Sequence, residues 1–212
     1  MVSFWVLALV SALALWLVVK WLFINPAENK FNEVALVYFD KQLEKRHGTL
    51  TVTDGVPALA IPYKTATIDL AFISNDNDLT QEFTYARFRT EHFSDKKFTM
   101  FVNSKDLFLK PLVIGTRVEL LDGKLREHYV VTGNDAAFVN RLLTEEVRDQ
   151  LLKLPLNVKL GRRIDSSRLS GERGWLTVFT QGATAGDEIF DALVETAILF
   201  YESLNGRMKD EG

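Results

Sequence analysis

The chain of 212 residues is 47% hydrophobic and 25% charged, with a formal net charge of −3 at pH 7. It contains no cysteine, which excludes disulfides, thiolate metal sites, thiol nucleophiles and lipid attachment through cysteine. The slightly acidic balance argues against a general nucleic-acid-binding protein, because such a protein needs a concentrated basic face.

The first predicted element is a transmembrane helix over residues 1–24. Residues 2–19 carry no charged side chain, and the apolar residues 21–24 follow Lys20. This is about the 20 residues that are needed to span a hydrocarbon core of about 30 Å. Four residues are predicted at the membrane interface, where tryptophans form aromatic belts and lysine extends its ammonium to the head groups. They are Trp5, Trp16, Lys20 and Trp21.

A cleaved signal peptide is the alternative interpretation of this segment. A signal peptide requires a basic stretch before its apolar core, and no Lys or Arg precedes residue 20. Five basic residues lie between positions 20 and 46. By the positive-inside rule they indicate an N-terminus outside and a C-terminal domain in the cytoplasm. We therefore expect a single-pass protein of the plasma (inner) membrane.

Residues 25–48 are predicted to form a juxtamembrane helix. Pro26 suits the first turn of a helix, apolar residues recur at helical spacing from Phe31 to Leu43, and Gly48 suits the C-terminal cap. The helix combines an apolar stripe with a face of mixed charge. It is therefore predicted to lie on the domain, on the membrane surface or on a partner.

Residues 49–212 are predicted to form one soluble α+β domain that begins with short strands. Runs rich in Val, Ile, Phe, Tyr and Thr are separated by turn signals, which indicates an antiparallel many-stranded sheet or a partly closed barrel. The strongest hairpin signal is Asp122-Gly123, between strands predicted at 112–121 and 124–132. The other predicted strands are 49–53, 58–63, 66–74, 81–90, 97–103, 158–160, 164–169 and 175–180.

Helices are predicted in the second half of the domain, packed against the sheet. Asn134 and Asp135 open a short helix through Leu143, and Thr144 caps a second one. A capping box at residues 184–187 begins a long C-terminal helix with apolar residues at helical spacing, and Gly206 is its predicted end.

The sequence carries no catalytic or ligand-binding motif, and we predict no enzymatic activity, no cofactor and no metal ion. The histidines, His47, His92 and His128, do not have the spacing of metal ligands. Residues 75–82 offer alternating oxygen atoms but lack the glycine and the final acidic residue of a calcium loop, so they are predicted to form a polar hairpin loop. Phosphate-binding glycine motifs and serine-nucleophile motifs are absent.

Basic residues are concentrated in residues 159–173, which carry five cations and two acidic residues. Arg162, Arg163 and Arg168 are candidates for contact with lipid phosphates or with an acidic partner. As a solvated loop the segment needs no partner, and this is the interpretation that we favour.

Three functions are compatible with the sequence. The favoured one is a non-catalytic accessory or scaffold subunit of a larger membrane complex (respiratory, photosynthetic, secretory or other). Such a subunit would contact the lipid bilayer through residues 2–24 and bind other membrane-protein subunits, with no nucleic acid and no small-molecule substrate. The second is a membrane-tethered lipid-binding or sensor domain. The third is an enzyme whose site is assembled from scattered residues such as Asp76, His92 and His128.

Overall fold

The computed structural model describes residues 13, 16, 37, 39–53, 56–73, 83–90, 93, 95–103, 116–161, 174–181 and 186–208. Within these ranges the chain has an α+β fold built on a nine-stranded antiparallel sheet, as predicted. The predicted transmembrane helix lies outside the described residues except for Leu13 and Trp16, which are both helical. In the described part of the chain, no helix is long and apolar enough to cross a membrane.

The elements follow one another in chain order as a run of strands and then a mixture of strands and helices. The strands are β1 (Thr49–Thr53), β2 (Val56–Tyr63), β3 (Ala66–Ile73), β4 (Phe83–Arg89), β5 (Phe98–Val102), β6 (Thr116–Arg117), β7 (Tyr129–Gly133), β8 (Asn157–Gly161) and β9 (Trp175–Gln181). The helices are α1 (residues 39–46), α2 (Gly123–His128), α3 (Ala136–Leu142), α4 (Glu145–Lys153) and α5 (Asp187–Met208).

The sheet is open, with the strand order β1-β2-β3-β4-β9-β8-β5-β7-β6. The partly closed barrel that the sequence also allowed is therefore wrong for the described strands. Closure would require β1 to pair with β6, and β6 contributes only two residues, both exposed. The first four strands form the predicted meander, and β9 and β8 then separate β4 from β5.

The predicted hairpin at Asp122-Gly123 is also wrong. Asp122 is the N-cap of α2, and its Oδ1 accepts a hydrogen bond from the backbone N–H of Leu125 at 2.9 Å. The second predicted strand therefore begins only at Tyr129, and within the described residues 116–121 of the first, only Thr116–Arg117 form a strand, β6. The physical reason is that aspartate suits an N-cap as well as it suits a turn. Burial of Leu125, which is 0% exposed, favours the helix.

Most other predicted boundaries agree with the structure to within one or two residues. Asp135 caps α3 by accepting a hydrogen bond from Phe138 N at 2.8 Å, and Thr144 is the N-cap of α4. Helix α5 does not end at Gly206 but continues to Met208. A glycine near a helix end costs only about 1 kcal/mol relative to alanine, so it does not force an end. The strand predicted at 164–169 lies outside the described residues.

One face of the sheet, called the first face here, packs against α5. The helix lies on β3, β4 and β9 and buries its apolar stripe there. Phe88 of β4 meets Tyr201 of α5 edge to face, with ring centroids 5.6 Å apart. Phe200 is 0% exposed and lies 6.4 Å from the ring of Phe98 on β5. This apolar layer forms the main core of the domain.

The described part of the predicted juxtamembrane helix, α1, lies on the domain, which was one of its three predicted locations. The ring of Phe39 stacks on Phe190 of α5 at 5.3 Å. Asp191 accepts hydrogen bonds from Gln42 at 3.1 Å, from Lys45 at 2.7 Å and from Arg46 at 2.8 Å. Burial opposes ionisation of Asp191, but these hydrogen bonds outweigh it and lower the pKa of its carboxyl.

Candidate functional site

The opposite face of the sheet, called the second face here, carries a row of facing polar residues that crosses six strands. Directly paired residues of neighbouring strands lie on the same face, and the register pairs each member of the row with the next. From β3 to β7 this polar row consists of Asp69, Arg87, Thr177, Lys159, Thr99 and Thr132.

The polar row is buried, although it consists of polar and charged residues. Every member from Arg87 to Thr132 is 5% exposed or less, and the side chain of Asp69 is 31% exposed. Beside it lies an apolar cluster in which Phe179 meets Phe83 at 5.4 Å and Phe101 at 6.3 Å. Buried charges are costly unless they are paired, so the partners of the two cations decide what this face can do.

Arg87 has a compensated charge. Its Nε lies 3.6 Å from Oδ2 of Asp69. Its guanidinium also lies over two aromatic rings, 4.9 Å from the centroid of Tyr85 and 5.2 Å from that of Trp175. Carboxylate pairing and stacking on aromatic faces are the interactions by which proteins stabilise a buried guanidinium.

Lys159 differs from Arg87 because no counter-charge faces it. The residue is 4% exposed, and within the described part of the chain its buried Nζ has no hydrogen-bond partner. Burial lowers the pKa of the Lys159 ammonium, since the charged form loses its hydration. Its directly facing neighbours are Thr99 and Thr177. The second face therefore holds a buried cationic group whose charge no described residue balances.

A cleft of about 610 Å³ lies where β3 begins, β4 ends and β9 begins. This volume falls in the range of about 300–1,000 Å³ that is usual for small-molecule sites. The lining combines apolar side chains with polar ones. The apolar members are Ala66, Phe88, Phe93, Trp175, Tyr201 and Leu204, and the polar members are Thr65, Thr67, Asp69, Arg89, Thr90 and Asn205.

The cleft adjoins the polar row through two shared residues. Asp69 belongs to both, and Trp175 lines the cleft while its ring contacts Arg87. Trp175 also faces Gly161, two residues along β8 from Lys159. It is therefore a diagonal cross-strand neighbour of Lys159, at a typical separation of about 7–8 Å. Trp175 therefore connects the wall of the cleft to Arg87 by a ring contact and to Lys159 by its diagonal position in the sheet.

The wall of the cleft opposite the sheet is held by contacts between α5 and the β2–β3 turn. The hydroxyls of Thr65 and Tyr201 are hydrogen-bonded at 2.8 Å. Glu202 accepts a hydrogen bond from Tyr63 Oη at 2.6 Å and pairs with Lys64 at 2.5 Å. The hydrogen bond to Glu202, together with partial burial, raises the pKa of Tyr63. These contacts tie the turn to the C-terminal half of α5.

Few of the residues that the sequence singled out lie in the described part of the chain. Trp16 is helical and 58% exposed. His47 follows α1 with a φ of +51°, and His128 ends α2 instead of lying in a strand, with its Nδ1 2.9 Å from the carbonyl oxygen of Lys124. The predicted residues outside the described ranges are Trp5, Lys20, Trp21, Asp76, His92, Arg162, Arg163 and Arg168. Among the described residues, no group of His, Cys, Asp and Glu could hold a metal ion.

Sequence reasoning missed the polar row. Lys159 was predicted to lie in the strand 158–160, which β8 confirms, but it was also counted with the basic run 159–173, which was interpreted as a solvated loop, and it is in fact buried. Asp69 and Arg87 were not singled out. One local signal was available, because each is a charged residue in the middle of an apolar strand pattern. Their proximity to Lys159 depends on strand pairing, which the sequence does not encode locally.

Comparison with known proteins assigns no family. No family model and no curated protein matches the chain. Among solved structures, the chain is similar to the crystal structure of the mycobacterial trehalose monomycolate transport factor A, TtfA, with a TM-score of 0.48 and 8% sequence identity. The match covers 82% of this chain and 94% of that one. A likeness of this size supports no conclusion about fold or function.

Proposed function

We propose that the protein is a non-catalytic, single-pass membrane-anchored accessory subunit that binds other protein subunits of a larger membrane complex. The observation that carries the proposal is the docking of α1 on α5. The helix that follows the apolar N-terminal segment is joined to the domain through the ring stack of Phe39 and through the hydrogen bonds to Asp191.

This docking limits how far the domain can lie from a bilayer that holds residues 1–24. Only the 14 residues 25–38 lie between that segment and the stretch 39–46 of α1. Fully extended, they reach at most about 50 Å, and in a helix about 21 Å. A domain on a short connection is presented to its membrane neighbours at a restricted height. This suits a subunit of an assembly better than a domain that acts at a distance.

The predicted topology can be tested with single cysteines, because the chain contains none. Ser3→Cys lies before the apolar segment, and Leu121→Cys lies at a residue of the domain that is 85% exposed. With a membrane-impermeant maleimide, we expect Ser3→Cys to react in intact cells or spheroplasts and Leu121→Cys to react only after lysis. Labelling of Leu121→Cys in intact cells would contradict the proposed orientation.

The accessory role is tested by mild detergent extraction of the tagged full-length chain, followed by native-size analysis and identification of the co-purifying proteins. We expect one large membrane complex of fixed stoichiometry. A monomer or a homo-oligomer would overturn the proposal.

Two charge-reversal variants test whether recovery of the complex depends on the docking of α1 on α5. Asp191→Arg removes the acceptor of three side chains of α1 and is expected to weaken the recovery of the complex. Glu188→Arg makes the same change of charge at an exposed position of α5 and is expected to behave as wild type. Equal loss in both variants would mean that the charge of α5 matters and the docking of α1 does not.

The cleft favours a second candidate function, a membrane-tethered sensor or lipid-binding domain. Its volume and its mixed lining suit a small amphiphilic molecule. The two candidates are separated by vesicle binding of a chain that lacks residues 1–24. Binding to phosphatidylglycerol vesicles but not to phosphatidylcholine vesicles would favour the sensor, and absence of binding to both would favour the accessory subunit.

A further inference from the structure

We propose that the second face of the sheet contains a binding site for an anionic group, a carboxylate or a phosphate, at Lys159, with Arg87 on the other side of Thr177, and that the site is entered from the cleft. The inference does not depend on the accessory role, because it concerns what the interior of the domain binds.

The charge of the polar row is the first argument. The row contains two cationic side chains, Arg87 and Lys159, and one carboxylate, Asp69. Asp69 lies 3.6 Å from Arg87, and it is separated from Lys159 by two intervening strands. One positive charge is therefore left at Lys159, in a position that is 4% exposed. A ligand with a negative charge would supply the counter-charge for Lys159 that the described residues of this row lack.

The groups around Lys159 suit oxygen atoms that accept hydrogen bonds. An ammonium offers three donors. The two residues that face Lys159 directly are threonines, Thr99 and Thr177, and each carries a hydroxyl that can donate. Charge-assisted hydrogen bonds from such groups are the strong contacts of carboxylate and phosphate sites. A metal cation is disfavoured here, because it would meet an ammonium and a guanidinium.

The cleft determines the class of ligand. Trp175 forms part of its wall and is the diagonal neighbour of Lys159. A cleft of about 610 Å³ accommodates a small molecule, whereas a flat protein surface cannot reach a residue that is 4% exposed. The apolar side chains of Phe88, Phe93 and Leu204 would contact a hydrocarbon portion. The anionic group therefore comes either from an amphiphile, such as a fatty acid or a lipid phosphate, or from a free small anion.

Ligand binding is tested on the full-length protein in a neutral maltoside detergent at constant ionic strength. The probes are octyl phosphate, inorganic phosphate and octyl glucoside, which has the same chain as octyl phosphate and no charge. We expect octyl phosphate to raise Tm and octyl glucoside not to do so, because only a ligand that binds the folded state stabilises it. If inorganic phosphate binds as tightly as octyl phosphate, the ligand is a free anion. If only octyl phosphate binds, the ligand is an amphiphile.

Two lysine variants locate the site. Lys159→Met is expected to weaken binding of the phosphate probe about tenfold or more, the equivalent of one charge-assisted hydrogen bond. Lys124→Met removes the same charge from an exposed residue of α2 and is expected to bind as wild type. Equal binding by all three proteins would overturn the proposal, and so would a Tm that no phosphate probe raises at concentrations up to about 10 mM.

A measurement on the wild-type protein tests the proposal without requiring that Lys159→Met folds. In protein labelled with ¹³C at the ε carbon of lysine, the Lys159 signal is assigned by its absence in Lys159→Arg. Saturation with the bound probe is expected to raise the apparent pKa of this signal, because an anion stabilises the ammonium. A signal whose titration is the same with and without the probe would overturn the proposal.

Discussion

The two faces of the sheet are buried to a similar degree but are stabilised by different interactions. In β8, Val158 and Leu160 point to the first face, while Lys159 between them points to the second, and all three are 4% exposed or less. The first face packs against the apolar stripe of α5 at β3, β4 and β9. The second face combines an apolar cluster with a row of charged and hydroxyl side chains. Two equally buried faces can therefore contribute differently to stability. Burial of apolar side chains stabilises the fold, whereas a buried charge is costly unless a partner compensates it.

The largest expected effect comes from breaking the first face. Leu160→Ala should lower the free energy of unfolding by about 2–5 kcal/mol, because it leaves a cavity in the main core, to which Leu160 belongs. The residue is 1% exposed, so the surrounding side chains have little room to relax. Chemical denaturation measures the change. A loss below about 1 kcal/mol would mean that this layer is loosely packed.

The next largest effect on the free energy of unfolding is expected on the second face, when the carboxylate that compensates Arg87 is removed. Asp69→Asn should lower the free energy of unfolding by about 1–3 kcal/mol, because a guanidinium that is 3% exposed loses the carboxylate that lies 3.6 Å from its Nε. The aromatic contacts of Arg87 remain and limit the loss. Thr67→Ser, a mild change two residues along β3, is the control and should leave stability nearly unchanged.

Lys159→Met should have the opposite sign. Without a bound anion, the variant should raise the free energy of unfolding by about 1–3 kcal/mol at pH 7, because it replaces a buried unpaired cation by an apolar side chain of similar length. Lys159→Met and Leu160→Ala change neighbouring residues of β8 that point to opposite faces, so their free energies of unfolding compare the two faces directly. If both variants destabilise the domain equally, Lys159 is stabilised by a partner and the two faces do not differ as proposed.

The smallest expected effect is a change with pH in the extra stability of Lys159→Met, that is, in the difference between its free energy of unfolding and that of the wild type. Burial lowers the pKa of Lys159 in the folded protein below its unfolded value of about 10.4. The penalty for the buried ammonium is therefore fully present below the folded pKa, and it disappears as the pH rises to about 10.4. The advantage of Lys159→Met should shrink over this window, while Asp69 and Arg87, the other charged groups of the row, are common to both proteins. A constant advantage would show that folding does not shift the pKa of Lys159, and that the gain does not come from its charge.

Local signals in the sequence predicted much of the fold. Alternating polarity located β1 to β5 and β9, and the capping aspartate and threonine, Asp135 and Thr144, located the starts of α3 and α4. The same local logic failed at Asp122, where a turn and an N-cap use the same residue and burial of Leu125 selects the cap. The predicted membrane segment and the arginines of the basic run lie outside the described residues and stay predictions.

The sequence by itself determined the α+β class and the approximate limits of most of its strands and helices. These properties depend on side-chain period and on caps, which act over a few residues. Only the tertiary structure decided that β9 and β8 lie between β4 and β5, and so brought Arg87 and Lys159 to either side of Thr177. Strand order and register depend on which apolar faces can be buried together across the whole domain, and no local pattern of residues encodes them.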